Sequence, residues 1–218
     1  MILKYLCRNW YNIGAFIFIG VICCCALFWR DLGGLRGMLL LNFAGMLLHQ
    51  YEEYGWPGGE PGVMNIALKH SDKPDSWPLN QKSAMITNVL CSYVFFLLPV
   101  FFPQAIWLGL APMLAVFGQI VAHCIVNNRA MHTWYNPGMA AVLLWQLPLT
   151  VIYICYISIN HLADFRTWFF AILYLALYMF LFINKLTYSW LANENGEYPF
   201  ALEEMHRYRK RWGSNGGP

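Results

Sequence analysis

Charge is what this chain lacks. Only 11% of its 218 residues are Asp, Glu, Lys or Arg, against about 25% in an ordinary soluble domain. A chain with so little charge cannot cover its own surface in water. The net charge of +3 is small and scattered, and no stretch outside the apolar segments interleaves basic and aromatic residues; a nucleic-acid partner is excluded on that ground. The seven cysteines include no C-x-x-C pair. Cys23, Cys24 and Cys25 share one apolar run and Cys91, Cys124 and Cys155 lie in others, which reads as small buried hydrophobes rather than a disulfide framework or thiolate cluster. G-x-S-x-G, P-loop and Rossmann fingerprints are missing, as are internal repeats and low-complexity tracts. Six histidines are too few for the multiple histidine boxes of membrane desaturases and hydroxylases.

What the chain has is apolar surface: 59% of residues are hydrophobic and 17% aromatic, with a mean hydropathy of +0.43. A bilayer span takes about 20 apolar residues, and six segments fit: 10–29, 37–54, 83–102, 104–126, 137–159 and 165–184. The expectation is therefore all-α, a six-helix bundle forming a single integral membrane domain over residues 1–218, with a polar cytoplasmic tail over 193–218. Lys4 and Arg8 ahead of the first segment imitate a signal peptide. That segment is too long for an h-region and no small-residue cleavage site follows it, so it is read as a retained span. Pro112 predicts a kink in the fourth, and Trp10, Trp29, Trp56 and Trp77 read as interfacial anchors. The one long polar connection, 57–82, carries Glu60 and His70; these, with His206 in the tail, read as solvated surface.

Orientation follows from the basic residues. With the N-terminus cytoplasmic, one side holds Lys4, Arg8, Lys69, Lys73, Lys82, Arg129, Lys185, Arg207, Arg209, Lys210 and Arg211, eleven of the fourteen Lys and Arg. The other holds Arg30, Arg36 and Arg166. Both termini are expected in the cytoplasm, with the protein in the inner or plasma membrane if the chain is bacterial.

In that orientation the intramembrane polar residues gather at one depth. His49, Glu52 and Glu53 end the second segment, Gln119, His123 and Asn127 end the fourth, and Asn88 stands near the start of the third. Asn128, Arg129, His132 and Asn136 occupy the turn before the fifth. Residues three and four apart share a helix face, so His49 lies beside both glutamates. Two carboxylates at a helix C-terminus oppose the macrodipole by about 0.3–1 kcal/mol each, and a cation would relieve them: Arg129, a charged histidine or a metal ion. The mixed imidazole and carboxylate set suits zinc first, with iron or manganese as alternatives. His161 and Asp164 fall on the opposite side.

His49-Gln50-Tyr51-Glu52-Glu53 reads H-x-x-E-E, and Asn128 to His132 reads N-x-x-x-H, followed by Tyr135-Asn136-Pro137-Gly138. Over residues 38–138 this resembles the HXXEE-motif family of small integral membrane proteins. The resemblance implies which residues matter, not which reaction they perform. Glu52-Glu53 and the H-x-x-x-N of His123 to Asn127 are also similar to elements of intramembrane CAAX-type proteases. The arginine after the glutamate pair and the F-x-x-x-H element of those enzymes are missing here, so the likeness is one of chemistry, not membership.

The leading expectation is an enzyme of hydrolase type working on a lipid-like or small hydrophobic, membrane-partitioned substrate at the cytoplasmic leaflet. His49, Glu53 and His123 would hold a metal or orient a water. Glu52 would be the general base, assisted by Asn127 or His132, with Asn88, Gln119, Arg129 and Asn136 on the substrate side. Simpler roles exist for some: Arg129 as a positive-inside anchor, and Asn136 as the cap of a helix starting at Pro137. Two alternatives stay open, a small proton-coupled carrier with a Glu/His site and a structural or assembly subunit of a membrane complex.

Overall fold

The computed structural model describes residues 2–193 and 197–205. The stretch 206–218, with His206, Arg207, Arg209, Lys210 and Arg211, lies outside the described residues, as do 194–196. Among those described there is no strand. Seven helices carry the argument: α1 (Ile2–Leu32), α2 (Gly34–Tyr54), a short α3 (60–68), α4 (Gln81–Phe101), α5 (Ile106–Met131), α6 (Met139–Ile159) and α7 (Phe165–Trp190).

Five of these, α1 and α4 to α7, are long and apolar enough to cross a membrane, not six. The exception is α2. Its 21 residues suffice in length, but Arg36, Asn42, His49, Gln50, Glu52 and Glu53 reduce its hydropathy. The physical reason is its position. α2 packs against α1, α3, α4, α5 and α6, and fourteen of its 21 residues are buried. A helix sheathed by protein can carry polar groups that a lipid-facing helix cannot. α1 and α7 show the converse, with only 11% of the apolar window of each buried, so their side chains face outward.

Close approach to α2 is set by small residues, as is usual where lipid supplies no hydrophobic drive between helices. A Cβ at Gly45 would stand 2.6 Å from the Trp145 ring and 3.1 Å from Gln146 Cγ of α6. The core joins Leu39, Phe43 and Leu47 of α2 to Phe95 of α4, Leu110 and Met113 of α5, and Tyr153 and Ile157 of α6. At the far end of α2, Arg36 Nε donates to the Val100 carbonyl at 3.1 Å.

The connection between α2 and α4 is a folded cover, not a free loop. The buried Asn65 holds it closed: Nδ2 donates to the Pro74 and Leu79 carbonyls, both at 2.7 Å, and Oδ1 accepts from Leu79 N at 3.0 Å. Residues 197–205 lie over it, with Phe200 and Met205 packed against Trp10, Tyr54, Leu79 and Ala84. Glu60, expected on the surface, is consequently buried.

Candidate metal centre

His49 and Glu53 are one helical turn apart near the end of α2, where their side chains share the face turned toward α5 and α6. His123 comes from α5, within a stretch, Val121–Asn127, wound in π-helical register. Such local widening is frequent at functional sites. Glu53 Oε1 lies 3.2 Å from His49 Nε2 and 3.6 Å from His123 Nε2. The two rings meet edge to face at 5.0 Å. One ligand atom from each of the three residues falls within 4.8 Å of the others, and all three residues are buried.

The surrounding hydrogen bonds fix the tautomers. His49 Nδ1 lies 3.0 Å from the Gly138 carbonyl, which can only accept, so Nδ1 carries the hydrogen. His123 Nδ1 meets Asn136 Oδ1. The orientation of that amide is set by its other end, since Asn136 Nδ2 donates to the His123 carbonyl and to Asn128 Oδ1, both at 2.7 Å. His123 Nδ1 is therefore also the donor. In their neutral forms both imidazoles turn a bare Nε2 lone pair toward the Glu53 carboxylate. Three acceptor atoms converging this closely repel one another unless a cation, proton or metal, lies among them. Imidazole Nδ1–H bound to a carbonyl, with Nε2 left free, is the outer arrangement that orients histidine for a metal.

Glu52 is turned elsewhere. Its carboxylate accepts from Ala140 N at 3.0 Å, Ala141 N at 2.7 Å and the Tyr135 hydroxyl at 2.6 Å. It binds the free amides that open α6 and complements the positive end of that helix. The role of base assigned to it from sequence finds no support here, because its oxygens are occupied at the helix start.

The turn before α6 supplies most of the remaining structure. α6 begins at Met139, so Asn136 does not cap it; its amide is wholly engaged with His123 and Asn128. Gly138 has φ +94°, and a Cβ there would lie 2.6 Å from His123 Cε1, 2.7 Å from His49 Cε1 and 3.0 Å from Glu53 Cγ. Glycine is required both by the left-handed backbone and by the rings resting on it.

The other sequence-derived residues are dispersed. Asn127 is buried on the same turns of α5 as His123. Asn88 receives Gln50 Nε2 at its carbonyl, at 2.7 Å, on the α4 side of α2. Gln119 is half-buried and shares no hydrogen bond with the three residues. Arg129 and His132 are exposed and line a separate open cleft together with His70. Sequence reasoning missed Glu60. It is buried, its Oε2 has no hydrogen-bond partner among the described residues, and burial together with the charge of nearby Glu53 pushes its carboxyl well above the usual range. Its setting after Gly58-Gly59 and before Pro61, a helix-start pattern, was the available signal.

A family model described as "protein of unknown function with HXXEE motif" matches residues 40–153. That stretch is just over half the chain and includes every residue of the centre from His49 to Gly138. No curated protein and no solved structure matches the chain.

Proposed function

The chain belongs to the HXXEE-motif family, and from that premise we propose that it is a membrane-embedded metal-dependent enzyme of hydrolase type, acting on a lipid-like or membrane-partitioned substrate. The observation carrying this reading is the convergence of two imidazole Nε2 atoms on one carboxylate. His49, His123 and Glu53 would hold the ion, a His₂Glu set of the kind that leaves a catalytic zinc an open position. Zinc is the leading choice, with iron or manganese as alternatives. Such an ion, when bound, polarises carbonyl or phosphoryl oxygens and lowers the pKa of water.

The chain's own residues then have distinct tasks. Asn136 and the Gly138 carbonyl hold the two rings in register, and burial keeps bulk water from the centre. Glu60, not Glu52, is the group left to move a proton, since its Oε2 is buried and free while Glu52 is fully engaged. The positive-inside count supports placing this end of the bundle, and both termini, at the cytoplasmic face. Metal analysis of detergent-purified protein tests the reading: about one ion per chain is expected, lost in His49→Ala and His123→Ala. Metal-free protein of unaltered fold after exposure to zinc, iron and manganese would overturn it.

One observation favours the carrier reading as second choice. Asn42 Oδ1, Gln146 Oε1 and the Tyr153 hydroxyl are buried without hydrogen-bond partners among the described residues. They stand on α2 and α6, deeper in the bundle than His49. A carrier would use them as a polar route, and proton flux in liposomes abolished by Gln146→Leu would support it over the enzyme.

A further inference from the structure

Arg129, His132 and His70 come from different parts of the chain and take no part in the centre, yet the fold gathers them. The last turns of α5 present Ile125, Val126, Arg129 and Ala130, with His132 just beyond. The end of α3 stands opposite with Ala67 and Leu68, followed by His70. These eight residues enclose an open cleft of about 560 Å³.

The lining has two chemical zones. Its rim has, among the described residues, three nitrogen-bearing side chains and no carboxylate. Among the described residues the exposed Arg129 guanidinium is engaged in no hydrogen bond or ion pair, unlike Arg36 at the far end of α2, which donates to a backbone carbonyl. Its wall is apolar, and Ile125 and Val126 are 43% and 44% exposed. That strip continues along the outer face of α5 through the exposed Val121 and Phe117, the face of a candidate membrane span. A cationic rim at a helix end, above an apolar strip running along a span, matches an anion that carries an acyl chain. A free inorganic anion would have no use for the strip. Arginine is suited to phosphate because its fork of N–H groups can donate to two oxygens at once, and basic pockets at the membrane face are known to hold lipid headgroups.

We propose that this cleft is a binding site for the phosphate headgroup of an anionic phospholipid, with Arg129 as the principal contact, His70 and His132 as further N–H donors, and Ile125 and Val126 against the first part of an acyl chain. The site does not depend on a metal at His49, Glu53 and His123.

The test uses the full-length protein in a neutral detergent, titrated with short-chain phosphatidylglycerol, phosphatidylcholine of the same chain length, or inorganic phosphate. Saturable binding of phosphatidylglycerol is expected, weakened roughly tenfold or more by Arg129→Gln and by a smaller factor in the His70→Gln, His132→Gln double variant. Lys82→Gln, which removes another exposed cation outside the cleft, should leave the affinity unchanged, as should chelator treatment. All substituted residues are exposed, so unaltered melting temperatures accompany these changes. Equal affinity in wild type and Arg129→Gln, or equal loss in Lys82→Gln, would overturn the site. Phosphatidylcholine or inorganic phosphate binding as tightly as phosphatidylglycerol would overturn its assignment to an anionic lipid.

Discussion

Glu52 and Glu53 are adjacent and chemically identical, but they open onto two different regions. Glu52 faces the start of α6, where two backbone amides and a tyrosine hydroxyl saturate its carboxylate. Glu53 faces the interior between α2 and α5, where the nearest polar atoms are two imidazole nitrogens that offer no hydrogen in their neutral form. The first region is held by fixed donors; the second is balanced only by a proton on an imidazole or by a metal ion. The contrast separates a carboxylate bound by backbone amides from one that faces two imidazoles, and composition alone could not have distinguished them.

Breaking the second region should have the largest effect. Glu53→Gln is expected to reduce bound metal from about one ion per chain to nearly none, with the fold retained, as read by elemental analysis. Gly138→Ala should come next, because a methyl group at 2.6–2.7 Å from both rings must displace them. It should cost about 1–3 kcal/mol of stability from the left-handed backbone alone, and reduce metal content as well. Glu52→Gln sharpens the contrast from the other side. Loss of charge-assisted bonds at the α6 start should cost about 1.5–3 kcal/mol in thermal or denaturant unfolding while metal content stays near wild type. Tyr135→Phe removes one of those bonds and should cost about 0.5–1.5 kcal/mol.

The smallest effect concerns pH. The Glu60 carboxyl is raised above its unfolded value, so the folded protein retains a proton that the unfolded chain releases. Its contribution is thus fully present below the ordinary carboxylate range and declines as pH rises toward the folded value, with a slope of at most about 1.4 kcal/mol per pH unit. Glu60→Gln should flatten that decline, measurable as melting temperature against pH. An unchanged slope would show that the Glu60 carboxyl is not raised in the folded protein.

The convergence of His49, Glu53 and His123 was legible in sequence because i, i+4 spacing and topology place them at one depth. The expected ligand set also joined Glu53 to the two histidines and kept Glu52 apart, but the task of Glu52 was not legible. It depends on where α6 begins, and Pro137 misleads by suggesting a start two residues too early. Gln119, His123 and Asn127 stand four residues apart, and the π-helical turns over 121–127 alter the shared face that regular α-helical steps would give them. Arg129 and His132 follow closely in sequence but stand on the exposed side of the turn, where they meet His70. Glu60 was misjudged because loop composition is blind to a cover held down by Asn65 and by residues 197–205. The six-span count failed at α2 for a related reason: hydropathy registers composition, and shielding by neighbours is a tertiary property.

That shielding bears on how the protein reaches the bilayer. A segment bearing Arg36, Asn42, His49, Glu52 and Glu53 has little affinity of its own for hydrocarbon, where single charged groups cost about 2.5–3.5 kcal/mol at mid-depth. α1 is strongly apolar, joins α2 through a single-residue break at Gly33 and lies along it. The two are therefore suited to enter as one hairpin, the first escorting the second. Lengthening the break at Gly33 should thus impair biogenesis well before it disturbs the chemistry.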